Sequence, residues 1–128
     1  MKRRPLLAIG AAALASPTWA LAQALPPIRL LVGAPPGGTT DTLAREIAPE
    51  MGLQLGRTVI IENKSGAGGN LAADAVAKAP PDGNTWLIVF DNHILNSLLN
   101  DNLPYNDGEL TPVMQIGRSA QGIAAHPT

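Results

Sequence analysis

The residues that could do chemistry fall in three short stretches. Pro35-Pro36-Gly37-Gly38-Thr39-Thr40-Asp41 combines backbone amides with two hydroxyls where a helix would start, a geometry suited to a carboxylate or phosphate. An ordinary strand-to-helix turn with a good cap explains the same residues equally well. A nucleoside triphosphate is disfavoured, because a P-loop ends in Gly-Lys-Ser/Thr and this loop has no lysine. Gly66-Ala67-Gly68-Gly69-Asn70 begins like a dinucleotide fingerprint, but Leu71 stands where the last glycine is required, so a tight helix-entry turn is the better reading. Asp91-Asn92-His93 adds three polar side chains with no nucleophile and base at a recognisable spacing, which argues against an enzyme. The two histidines, His93 and His126, are far apart and no carboxylate cluster has metal-ligand spacing, so neither a metal nor another cofactor is indicated. With no cysteine, thiol chemistry and disulfides are excluded.

These stretches matter because of the elements that flank them. Ile28-Arg29-Leu30-Leu31-Val32 is short, apolar and largely branched, the pattern of a buried strand. It runs into the Pro/Gly loop, where Thr39 and Thr40 are potential N-caps and Asp41 favours the positive end of a helix dipole. Leu43, Ile47 and Met51 at four-residue spacing predict the helix's apolar stripe, Pro49 predicts a kink or restart, and Gly56 predicts its end. Thr58 to Glu62 reads as a second strand, Asn70 to Ala79 as a helix with Leu71, Ala75 and Ala79 on one face, and Thr85 to Phe90 as a third strand. A short helix is expected from His93 to Leu99, and Thr111–Ile116 and Gly122–Ala125 are weaker strand candidates. Alternating strands and helices predict an α/β fold with a parallel sheet and right-handed crossovers. Ligands then sit beyond the strands' carboxyl ends, which are the loops 34–40, 63–70 and 90–93.

The N-terminus has the layout of an export signal: Lys2-Arg3-Arg4, an apolar run from Leu6 to Leu14, and Ala20-Leu21-Ala22 before Gln23. Ser16, Pro17 and Thr18 interrupt the run, which argues against a membrane helix. The pair Arg3-Arg4 also fits a twin-arginine signal, so either export route is open. Cleavage after Ala22 would leave six basic against ten acidic residues, a formal charge near −4. That balance disfavours a nucleic-acid partner. Trp86, Phe90 and Tyr105 would be the only aromatics left, so the core must be aliphatic and rich in alanine, with helices lying close to the sheet.

Taken together, Ile28–Val32, Pro35-Pro36-Gly37-Gly38 with Asp41 and Leu43-Ala44-Arg45, Glu62-Asn63, Gly66–Asn70, Ala73-Asp74 and Val76–Gly83 resemble the substrate-binding proteins of tripartite tricarboxylate transporters, the Bug receptors. His93, Asn96, Leu103-Pro104-Tyr105, Pro112-Val113 and His126-Pro127 continue the match in unbroken order. The resemblance implies a periplasmic, non-enzymatic, two-lobed clamp of the type II periplasmic-binding-protein kind, which takes a small organic acid or amino acid and hands it to membrane transporter subunits. It places ligand contacts at Gly37, Gly38, Thr39, Thr40 and Asp41, with Gly68, Gly69, Asn70, Asp91, Asn92 and His93 lining neighbouring strand ends. Asp41 is expected to cap or orient the loop rather than touch an anion, since like charges repel. Asp91 departs from the family's small residues at that place and adds negative charge beside the expected site. Members run to about twice this length. Residues 23–128 are therefore expected to form a first lobe with the second missing and, alone, to bind weakly or not detectably; a sensory module or an inactive truncated product are the alternatives.

Overall fold

The computed structural model describes residues 25–100 and 102–118. The export signal and the strand candidate at Gly122–Ala125 lie outside them. Three strands, β1 (Ile28–Val32), β2 (Val59–Asn63) and β3 (Thr85–Ile88), form a parallel sheet in the order β2-β1-β3. The register pairs Leu30 with Ile61 on one side and with Trp86 on the other. Helix α1 (Thr39–Leu55) crosses from β1 to β2, and α2 (Asn70–Ala77) returns from β2 past β1 to β3. Because the two crossovers run in opposite directions along the sheet, the same right-handed rule puts their helices on opposite faces. The central strand shows this directly. Leu30 and Val32 point to one face and Leu31 to the other, and all three are buried.

The α1 face holds the main cluster: Leu30, Val32, Ile88 and Ala44 are buried, with Leu43, Ile47, Val59, Ile61 and Trp86 packed around them. Two residues of the expected stripe, Leu43 and Ile47, thus pack against the cluster, but smaller residues lie deeper. Ala44 and Ala48 make the closest approach, while Leu43, Ile47 and Met51 are only partly buried. Small residues at the contact let the helix lie close to the strands, as the scarcity of aromatics required.

Several expectations are corrected. Helix α1 runs through Pro49 without a break. Pro49 and Arg45 lie on the exposed side, where water can take the Arg45 carbonyl that the missing N–H leaves behind. Thr39 and Thr40 are not caps: the N-cap is Gly38, and no side chain bonds to it. On α2, the buried residues are Asn70, Ala72 and Ala73, while Leu71 is exposed and folds over Gly66. Strand β3 ends at Ile88, two residues early, because Phe90 and Asp91 already serve the first turn of α3 (Asn92–Leu99). Thr111–Ile116 forms no strand. Val113 and Met114 stand exposed there, so the segment has neither ladder nor core to hold it.

Gly56 ends α1 in the left-handed region, at φ 60°, and Arg57 N–H then bonds to Gly52 O at 3.1 Å. That return brings the chain back so tightly that a Cβ on Gly52 would sit 2.9 Å from Arg57 O. Alanine in a helix interior ordinarily gains about 1 kcal/mol over glycine. Here we expect Gly52→Ala to reverse that sign and lower stability by about 1–2 kcal/mol, as read from urea unfolding. A stabilised variant would show the turn to be looser than described.

Candidate functional site

The first helix begins without a side-chain cap, and Asp41 supplies the missing order from inside the first turn. Its Oδ2 accepts from Gly37 N–H at 2.8 Å and from Arg45 Nε at 2.9 Å, and its Oδ1 accepts from Asn63 Nδ2 at 2.9 Å. Reaching back from the third helical position resembles a capping box, but the amide taken is Gly37, one residue before the N-cap Gly38. Asn63, the last residue of β2, also donates to Ala34 O at 3.1 Å, so one amide group joins the loop after β1 to the end of β2. Arg45 NH2 closes the ring on Asn63 Oδ1 at 3.3 Å.

Asp41 is 2% exposed, a buried carboxylate with three donors. The Arg45 guanidinium foremost, then the Gly37 and Asn63 donors, hold its carboxyl well below the usual carboxylate range. Asn63 and Arg45 were not singled out as site residues. The i,i+4 spacing of Asp41 and Arg45 is the signal that could have flagged the pair.

With Asp41 turned toward β2, the other side of the same helical turn faces the ends of β1 and β3. Thr40 is 4% exposed and its hydroxyl has no hydrogen-bond partner among the described residues. It lines a recess of about 60 Å³ together with Gly33, Ala34, Gly68, Gly69 and Asn92, closed on the β3 side by Ile88, Val89 and Phe90. The first intrahelical bond is Thr42 N–H to Gly38 O at 2.9 Å, so the amides of Thr39, Thr40 and Asp41 have no helical acceptor. The recess is narrow because Gly33 and Gly69 nearly touch: a Cβ on Gly33 would lie 3.0 Å from Gly69 Cα. Gly69 itself has φ 93°, a conformation that favours glycine.

The candidate residues thus separate. Thr40, Gly68, Gly69 and Asn92 meet in the recess. Gly37 is bound to Asp41, Gly38 folds against Pro35 O at 3.1 Å, and Thr39 is exposed. Asp91 caps α3, its Oδ1 accepting from Asn92 N–H at 3.0 Å. Asn70 and His93 turn away from the recess toward Tyr105. Asn70 Oδ1 accepts from Tyr105 OH at 3.0 Å, and the His93 ring stacks on Tyr105 with centroids 5.8 Å apart. Among the described residues no group of His, Asp and Glu could hold a metal ion, and no helix is long and apolar enough to cross a membrane.

A parallel α/β lobe with a small, amide-rich recess at the strands' carboxyl ends is a unit of the periplasmic-binding-protein fold. It matches a solved structure described as a periplasmic transporter with a TM-score of 0.60 and 37% identity, over 66% of this chain and 29% of that one. The sequence pattern described as tripartite tricarboxylate transporter family receptor matches residues 43–128, and the chain belongs to that family. Protein BugT of Bordetella pertussis is 38% identical over 122 residues, 93% of this chain and 37% of that protein. A protein of Pseudomonas sp. strain P51, from the tcbD-tcbE intergenic region, is 38% identical over 89 residues, 69% of this chain and 26% of that one. The chain thus spans between about a quarter and somewhat over a third of these two relatives, not the half expected from the sequence.

Asp41's depressed folded value fixes the sign of its acid response. A carboxyl with a lowered folded pKa adds stability above its unfolded value of 3.8, and loses it as pH falls through the folded value. We therefore expect wild type to be more stable than Asp41→Asn at pH 7, with the difference shrinking only below about pH 4. Urea unfolding at intervals from pH 7 to 2.5 measures this, and a difference already gone at pH 5 would contradict the assigned contacts.

Proposed function

We propose that this chain supplies the carboxylate-seating lobe of a periplasmic, non-enzymatic receptor, which captures a small organic acid or amino acid for the membrane subunits of a tripartite tricarboxylate transporter. The observation that carries this reading is Thr40: a residue 4% exposed whose hydroxyl makes no hydrogen bond among the described residues, on a helical turn with unbonded amides, at a recess lined by glycine. Backbone amides at a helix start favour an anion through both their hydrogens and the helix dipole. Asp41, the nearby negative charge, is matched by Arg45 and turned toward β2, so it does not oppose an anion at Thr40.

Size limits what the lobe can hold. A water molecule's share of liquid volume is about 30 Å³, so 60 Å³ admits about one carboxylate group. Whole-ligand sites are usually several hundred Å³. The lobe therefore grips one end of its ligand and leaves the remainder outside the recess. Receipt of a family ligand's carboxylate, periplasmic placement and delivery to a transporter are supported by the family membership.

The test is a thermal-shift panel of dicarboxylates, tricarboxylates and amino acids on the purified chain. A ligand at 100 times its Kd stabilises by about 2.7 kcal/mol, a shift of several degrees. Thr40→Val should weaken that ligand about tenfold, the worth of one hydrogen bond. No shift with any member of the panel at millimolar concentration would remove the claim that this lobe binds.

A further inference from the structure

A polar cluster behind the recess is not used by the proposed contacts, yet it holds the recess's glycine wall. Tyr105 is 5% exposed and lies in the loop after α3, far in sequence from the elements it touches. Its hydroxyl donates to Asn70 Oδ1 at 3.0 Å. The same oxygen of Asn70 accepts from Asn96 Nδ2 at 2.8 Å, and the other hydrogen of that amide reaches Gly68 O at 3.0 Å. Gly68 O also accepts from Asn92 Nδ2 at 3.0 Å. Gly68 has φ 65°, and a Cβ there would meet Asn96 Oδ1 at 3.2 Å, so its backbone is fitted closely to this cluster.

The direction of the bonds is determined from one end to the other. An amide nitrogen has two hydrogens and no acceptor, so Asn96 can only donate to Asn70 and Gly68. Tyr105's one proton goes to Asn70. The Tyr105 oxygen, 3.3 Å from His93 Nδ1, then has only lone pairs to offer the ring, and Nδ1 must carry the hydrogen.

We infer that Tyr105 is a positioning residue for the recess: through Asn70 and Asn96 its hydroxyl fixes the Gly68–Gly69 wall, and through its oxygen it holds His93 as the Nδ1–H tautomer. Its bearing on affinity rests on the ligand-binding reading above; its bearing on the wall and on His93 does not. The cluster gives the loop that carries Tyr105 a direct mechanical link to a recess it does not enter.

Nuclear magnetic resonance on the ¹⁵N-labelled chain tests this with Tyr105→Phe, which keeps the ring and removes the hydroxyl. In wild type the His93 ring nitrogens should report hydrogen on Nδ1 when the ring is neutral. In Tyr105→Phe the hydrogen should move to Nε2, and amide exchange at Gly69 and Asn70, whose N–H groups bond to Gly66 O and Ala67 O, should accelerate about tenfold, the loss of one buried hydrogen bond. A tautomer on Nε2 in wild type, or unchanged exchange in the variant, overturns the inference. Should Tyr105→Phe fail to fold, Asn96→Leu cuts the chain of bonds from the other side. It should accelerate exchange at Gly69 and Asn70 while leaving His93 on Nδ1, and unchanged exchange there overturns the inference equally. A carboxylate that stabilises wild type should bind Tyr105→Phe about tenfold more weakly, and undiminished affinity would overturn the link to the recess. If no carboxylate binds wild type while tautomer and exchange move as expected, the receptor reading fails and the positioning role stands.

Discussion

The buried carboxylate of Asp41 is the constraint on which the site depends. A helix that opens on Gly38 has no side chain to collect its first amides. Asp41 satisfies the preceding loop instead, taking Gly37 N–H, and spends its remaining capacity on Arg45 and on Asn63 at the end of β2. Three donors from a loop, a helix and a strand meet on one residue, so the loop after β1 cannot move independently of the sheet. The cost of burying a charge is offset by the same donors. Thr40 follows from this arrangement. Because Gly38 is the N-cap and Asp41 ties down the loop before it, the Thr40 hydroxyl is not consumed as a cap and remains available at the recess.

The opposite wall is set by a different force, close backbone approach. Gly33 and Gly69 come together where neither could carry a side chain without displacement. Gly69 adopts a left-handed conformation to start α2, and Asn70 directly after it is drawn inward by Tyr105 and Asn96. The recess is therefore bounded by an electrostatic latch on one side and a hydrogen-bonded glycine turn on the other, and both attach to the central strand β1.

Much of this was legible in the residues. The strand Ile28–Val32 was readable to its ends because its branched, apolar run is bounded by Pro26-Pro27 and Gly33. Gly56 marked the end of α1 because left-handed backbone favours glycine there. What periodicity could not deliver was the depth of burial. Four-residue spacing found Leu43 and Ile47, which pack at the margin of the core, but not the smaller, buried Ala44 and Ala48, because a close-lying helix needs short side chains at the contact. On α2 the spacing of Leu71, Ala75 and Ala79 gave the wrong face. An asparagine bonded to Asn96 and to the buried Tyr105 outweighed one leucine in setting the rotation of an eight-residue helix. In the candidate site, the residues that line the recess and those that hold the lining in place have similar types. Only the coordinates separate Thr40 and Gly69 from Asp41, Asn70 and His93.

The separation also resolves an electrostatic difficulty. Asp41 and Asp91 both lie in the stretches expected to meet an anion, and two carboxylates there would ordinarily repel it. Asp41 is neutralised by Arg45 and faces β2, while Asp91 is exposed and turned onto the first amide of α3. Each thus binds N–H groups that would otherwise be left over, one before α1 and one at the start of α3. The amides near Thr40 receive no such side chain. The chain has acidic residues within reach of two helix starts and uses them on N–H groups that do not line the recess, so the positive end of α1 stays unbonded beside it.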